Sequence, residues 1–210
     1  MSAEQFDPYT QCLPEISLET KHLIVRTPQV EDIDQWIDVR GRNQSYLKPY
    51  EPAWPRQYLT KEYQIKRYVR QMQEWAGDHR YAFIICDKKT GYIIGGVNIN
   101  NVTRFSSQTA AFGYWIDKDH QGKGYMTEAI GILVDFAFDI LDLKRLEVAC
   151  LLDNERSQRV AEKLDFRKVG VAKKYLEING KRRDHVLFGL TRDDYSQTRT
   201  SQSLLDVLKP

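Results

Sequence analysis

The sequence predicts an α+β fold, a mostly antiparallel central sheet with helices on both faces. Three observations predict it. In the middle of the chain, "YAFIIC" (Tyr81–Cys86) and "YIIGGVNIN" (Tyr92–Asn100) read as strands joined by a Lys-Lys-Thr-Gly turn. Next, strand-like Thr109–Asp117, helix-like Tyr125–Leu141 and strand-like Arg145–Leu152 form a β-α-β crossover, whose right-handed path sets its two strands parallel. Last, "KKYLEINGKRRDHVLFGL" (Lys173–Leu190) centres on Asn179-Gly180, the signature of a type I′ hairpin.

The other elements follow in chain order. "HLIVRTP" (His22–Pro28) is a short strand ended by Pro28. Val30–Arg40 has apolar residues at helical spacing. In "NQSYLKPYEPAWPRQY", Pro49, Pro52 and Pro55 recur every third residue among Tyr46, Tyr50 and Trp54, which predicts an extended, aromatic-rich loop. Thr60 caps a second helix running to Ala76, and Asn154 or Asp153 caps a helix running to Phe166. The tally is about six to seven strands. The domain boundaries read as an acidic N-terminal segment at 1–17, one domain at 18–191, and a polar tail or terminal helix at 192–210.

Charge is nearly balanced, 31 basic residues against 29 acidic, so no global field for a polyanion is implied. Lys163–Arg183 is locally basic, with eight bases and two acids. It reads either as a solvated strand face or as a contact for a polyanion. Cys12, Cys86 and Cys150 are far apart and odd in number, with no zinc-binding spacing, so no metal is expected and a reducing, cytoplasmic compartment fits. No apolar signal core or membrane-spanning run stands out.

The chemistry centres on "DHQGKGYMTEAI" (Asp119–Ile130), where Gly122, Lys123 and Gly124 precede a helix. A helix start presents free N–H groups and partial positive charge, so an anion is expected there. A Walker A loop fails because Gly124 follows Lys123 where Ser or Thr is needed, and the dinucleotide fingerprint lacks its third glycine at Thr127. The pattern Q/R-x-x-G-x-G/A fits from Gln121 through Tyr125 and departs only at Met126.

With this loop, "LIVRTP", "YLKPYEPAWP", "DNERSQRVAEKLDF" and "AKKYLEINGKRRDHVLFGLT" occur in order, so that Leu18–Thr191 resembles the GNAT superfamily of acetyl-coenzyme A dependent N-acetyltransferases. More narrowly it resembles the RimJ/RimL branch, the ribosomal-protein-alanine N-acetyltransferases, and is closest to the RimJ side. The resemblance implies a splayed sheet and acetyl-CoA as cosubstrate. It implies that the amides of Gln121, Gly122, Lys123, Gly124, Tyr125, Met126 and Thr127 wrap the pyrophosphate, with Met126 facing it by its amide. The backbone at Trp115 and Ile116 would pair with the pantetheine arm, and Asn154 would also reach the coenzyme. The tyrosine that many members use as the acid for the departing thiolate is replaced by Ala161. Ser157, where RimL-like members have a serine, is the candidate acid; its other reading is a residue satisfying the helix start. Cys150 beside it is expected to be a buried small apolar residue.

The residues leave the base open. Glu51 is the carboxylate to test, against a solvated loop charge. Tyr50 and Trp54 either line the acceptor cleft or tether the loop. A strong base is not required for an α-amine, whose pKa of about 7.7–8.0 leaves roughly a third neutral at pH ~7.5, against about 0.1% of a lysine. The expected activity is therefore direct transfer of acetyl to a protein N-terminus, under the resemblance that of a small-subunit ribosomal protein beginning with alanine. The alternatives are a small-molecule amine, such as an antibiotic or polyamine, and a non-catalytic ribosome- or RNA-binding module. No membrane partner is expected. A weak contact with ribosomal RNA, and monomer against homodimer, stay open.

Overall fold

The computed structural model describes residues 12–198 of the 210. Most of the acidic segment 1–17 and of the polar segment 192–210 therefore lies outside the described residues. Among the described residues eight strands form one sheet: β1 (Ser17–Glu19), β2 (Leu23–Arg26), β3 (Tyr81–Asp87), β4 (Ile93–Thr103), β5 (Thr109–Ile116), β6 (Arg145–Leu151), β7 (Arg167–Ile178) and β8 (Lys181–Thr191). Their order is β1-β2-β3-β4-β5-β6-β8-β7. The strand beyond the expected count is β1, whose three residues pair with β2 and are too few to display a period. The hairpin between β7 and β8 turns at Asn179 and Gly180, both at positive φ as a type I′ turn demands.

The helices are α1 (Ile33–Arg42), α2 (Gln44–Leu47), α3 (Lys61–Ala76), α4 (Tyr125–Asp135), α5 (Glu155–Lys163) and α6 (Arg192–Thr198). Thr60 caps α3 by accepting the N–H of Tyr63 at 3.3 Å, and Gln64, Tyr68 and Gln71 form its buried stripe. Two expectations need correction. The stretch around Pro49 is not wholly extended, since α2 leads into a tight turn over Lys48–Tyr50 with Pro49 in its first positions, where a missing N–H costs nothing. The long helix from Tyr125 ends at Asp135 and widens into a π turn over Phe136–Ile140, which buries both Phe136 and Phe138.

Two cores lie on opposite faces of the sheet. The larger packs α4 against β4, β5 and β6 through Met126, Ile130, Leu133, Val97, Phe112 and Val148. The smaller joins α1 and α2 to the other face through Trp36, Val39, Leu47, Ile84 and Trp115. Alternation along β5 sends Phe112 to one and Trp115 to the other. Each fully buried large apolar side chain contributes roughly 1.5–3 kcal/mol.

One strand pair is parallel. β5 and β6 pair from Thr109↔Arg145 to Phe112↔Val148 and then diverge. β5 continues beside β4 as far as Ile116↔Gly95, and β6 beside β8 as far as Leu151↔His185. Gly113–Ile116 and Ala149–Leu151 thus each keep one backbone edge without a strand partner. At the far end, β7 is an edge strand with Arg167, Lys168, Lys173 and Lys174 exposed, charges that discourage edge-to-edge pairing. Among the described residues no helix is long and apolar enough to cross a membrane.

Candidate active site

The glycine loop stands at the head of the diverging strands. Gly122 has φ 71° and Gly124 φ 80°, and a Cβ at either would meet no atom of the chain within 4 Å. Glycine is required there by backbone conformation, and the space beside it is open. Gly124 is the N-cap of α4 and makes no side-chain cap bond. By contrast, α3 has Thr60 and α5 has Asn154, whose Oδ1 accepts the Ser157 N–H at 3.1 Å. The first amides of α4 therefore remain available to a ligand, and the macrodipole favours an anionic one. Met126 turns its side chain into the large core, leaving its amide for the loop. Tyr125 and Thr127 are half-buried in the first turn, and Lys123 Nζ sits 5.9 Å from the Tyr125 ring centre.

Side chains that sequence reading missed hold this loop. Asp117, 2% exposed, accepts from Arg42 at 2.7 Å and Asn43 at 2.8 Å, and meets His120 Nδ1 at 3.0 Å. Burial alone would raise its pKa; the bonds from Asn43 and His120 and the Arg42 charge outweigh that and lower it. Asn43 Oδ1 also accepts the Lys118 N–H at 2.9 Å, which bolts the loop to the end of α1. On the other side Arg156 of α5 donates to Gln121 Oε1.

The gap between β5 and β6 comes next. Trp115 and Ile116 pair with Gly96 and Gly95 on the β4 side, leaving their other edge to the gap. The Trp115 ring points away and meets Trp36 edge-on at 5.2 Å. A Cβ on Gly96 would stand 2.7 Å from Trp115 Nε1, so that close approach needs glycine. Ser157, in the first turn of α5, lies where the strands part. Its Oγ is 2.8 Å from Tyr114 Oη and 3.1 Å from Cys150 Sγ, and Tyr114 Oη also donates to the Ser157 carbonyl at 3.1 Å. Burial raises the pKa of both Tyr114 and Cys150, so phenol and thiol keep their protons at neutral pH. Ala161, one turn further along α5, is 1% exposed. No sequence spacing joins Tyr114 to Ser157; the phenol reaches the helix from the neighbouring strand.

On the opposite face the proline-aromatic loop closes over the sheet. Arg40, 2% exposed, makes a two-pronged ion pair with Glu51, with Nη1–Oε1 at 2.9 Å. Trp54 Nε1 donates to Glu51 Oε2 at 2.8 Å. The guanidinium lies 4.5 Å from the Trp54 ring centre and 4.7 Å from that of Trp115. The Glu51 carbonyl accepts the Asn179 N–H at 2.9 Å, which fastens the loop to the β7–β8 turn. Glu51 is thus engaged at both oxygens rather than solvated, and Trp54 is part of the same tie. Tyr50 is 41% exposed and 6.4 Å from Tyr46. Among the described residues no cluster of three or more His, Cys, Asp and Glu is disposed to hold a metal.

An uncapped helix start beside an unpaired strand gap suits a long anionic ligand with hydrogen-bonding groups along its length. Residues 22–167 match the model of the acetyltransferase (GNAT) domain. The chain belongs to the GNAT acetyltransferases. It is 34% identical over 180 residues to a probable N-acetyltransferase, YjcK, of Bacillus subtilis, covering 86% of this chain and 99% of that one. It is 32% identical over 199 residues to the [ribosomal protein uS5]-alanine N-acetyltransferase of Escherichia coli, covering 91% and 98%. The crystal structure of ribosomal-protein-S5-alanine acetyltransferase from Vibrio fischeri superposes with a TM-score of 0.80 at 34% identity, covering 86% of this chain and 98% of that one. This GNAT chain is an acetyl-CoA dependent acyltransferase, and the expected splayed sheet is the fold observed.

Proposed function

We propose that this GNAT enzyme acetylates the α-amine of a protein N-terminus, with an alanine-first ribosomal protein as the acceptor class. The observation that carries this reading is the state of Glu51. Both of its oxygens are held by Arg40 and Trp54, so neither is free to meet an incoming amine, and the side chain serves to position the loop. A site without a free base suits an α-amine, which is partly neutral near pH 7.5, over a lysine, which is not. The names of the E. coli and Vibrio relatives support the same acceptor class.

Acetyl-CoA supplies the thioester carbonyl that the amine attacks. In our reading the free amides from Gln121 to Thr127 hold the pyrophosphate, and the open edge at Trp115 and Ile116 aligns the arm by backbone hydrogen bonds. Ser157 Oγ gives a proton to the departing sulfur and is restored by the proton that the amine sheds on acylation, while Tyr114 Oη, 2.8 Å away, keeps its own proton and holds the Ser157 hydroxyl in place. Asn154 fixes Ser157 through its backbone N–H. Tyr50 and Trp54 form the acceptor's side of the cleft.

The test is free-thiol release from acetyl-CoA with two peptides. One begins with a free alanine, and the other has a blocked N-terminus and one internal lysine. Turnover on the first alone is expected. Equal or faster turnover on the lysine peptide would overturn the reading.

A further inference from the structure

A small chamber lies under α1 and α3, its walls combining apolar Ile33, Phe83 and Ile84 with polar Gln64, Arg67 and Asn98. Asn98 pairs in register with Gly113, the first β5 residue beyond the parallel ladder. The near edge of the chamber floor, at Asn98, is therefore one strand spacing, about 4.8 Å, from the point where the strands part, and the rest of the floor lies on β3. It also shares Trp36 with the ring cluster around Arg40.

Its charge is unbalanced. Arg67 lies 4.4 Å from the Trp36 ring centre and donates to Gln64 Oε1 at 3.3 Å. Among the described residues no carboxylate lies within ion-pair distance of it. The nearby carboxylates are engaged elsewhere: Asp32, on the chamber wall, holds Arg26 at 2.7 Å, Glu51 holds Arg40, and Glu74 pairs with Arg80 at 3.5 Å. Burial lowers the Arg67 pKa to about 10, with Arg80, Arg40 and Arg70 adding to the effect, so it stays charged at neutral pH. Among the described residues four buried side-chain polar atoms lack a partner. Three of them are N–H donors, on Trp36, Arg40 and Arg80, and of these Trp36 lines the chamber. A guanidinium has five donors and no acceptor, and beside Arg67 the unpaired Trp36 N–H points to a missing acceptor ligand. The cavity, about 20 Å³, holds a water or the tip of a carboxylate rather than a phosphate or a ring.

We propose that this chamber is a carboxylate subsite, in which Arg67 takes an Asp or Glu side chain close behind the acceptor's N-terminus. It rests on the preceding reading that the acceptor is a protein N-terminus. The planar guanidinium offers the two-pronged geometry a carboxylate needs, and Trp36 fixes its plane.

The experiment uses alanine-first peptides with Glu at position 2, 3 or 4, against a parent with Gln at all three. Turnover is measured with wild type, Arg67→Gln and Arg67→Lys. At least one acidic peptide should exceed the parent about tenfold in kcat/KM. Arg67→Gln should erase that preference while keeping parent turnover and the acetyl-CoA KM within about threefold. Arg67→Lys should restore part of it. No acidic preference in wild type, or a preference that survives Arg67→Gln, would overturn the proposal. Calorimetry with the same peptides N-acetylated reads binding apart from transfer. Arg67-dependent binding of the acidic peptide without any turnover would uphold the subsite and sink the acceptor assignment. Turnover without preference would do the reverse.

Discussion

Under the proposed function, the two sides of the splayed sheet recognise their substrates by different means. On the coenzyme side the chain presents backbone: two glycines at positive φ, a helix start without a side-chain cap, and two strand edges left unpaired. On the acceptor side it presents side chains: Arg40 locked to Glu51, and a group of rings from Trp36, Trp54 and Trp115 around it. Backbone recognition suits a ligand that never changes. Side-chain recognition is what a family would vary to change its acceptor.

The largest expected effect tests the acceptor side. Arg40→Met leaves a part-buried carboxylate without its partner and should cost about 3 kcal/mol of stability, read by urea denaturation. In the surviving fold the peptide KM should rise while acetyl-CoA affinity holds. A parallel loss of coenzyme affinity would break the separation of the two sides. Second, Gly124→Val puts a β-branched residue at φ 80° and a Cβ into the open cradle. Acetyl-CoA affinity should fall about a hundredfold by calorimetry, with unfolding shifted by only about 1–2 kcal/mol. Unchanged affinity would remove the loop from the coenzyme site. Third, Ser157→Ala should lower kcat by roughly 100-fold, the low end of the span of proton-transfer catalysis, and leave coenzyme affinity alone. Wild-type kcat would make Ser157 a helix residue only.

The smallest effect concerns the loop anchor. The pKa of Asp117 is lowered in the fold, so its contribution to stability is present above its unfolded pKa of about 3.9 and is lost as pH falls through the folded value. Asp117→Asn should therefore be destabilised relative to wild type at pH 7, and the gap should narrow in acid. A gap that stays constant below pH 4 would mean that the anchor is not electrostatic.

The same contrast decides what was legible in the sequence. Gly122 and Gly124 could be read because their requirement is on φ, which glycine alone meets easily and which leaves a mark in the chain. Asn179-Gly180 announced its turn for the same reason. Asn154 was readable as a cap because capping is local. The partnerships that shape the chemistry are not local. Tyr114 meets Ser157 across 43 positions, and Asp117 meets Arg42 across 75. Arg40 and Glu51 are only 11 apart, yet the turn between them hides the pairing. Pro49 misled in the other direction: a proline ends a helix only when it falls past the first turn.

The measurement that bears most directly on the account is the pH dependence of kcat/KM for the alanine-first peptide. With no enzyme base at work, the logarithm should rise with unit slope and level off near the amine's own pKa, about 8. A plateau already reached near pH 6 would mean that a carboxylate takes the proton from the bound ammonium, and it would contradict the positioning role assigned to Glu51.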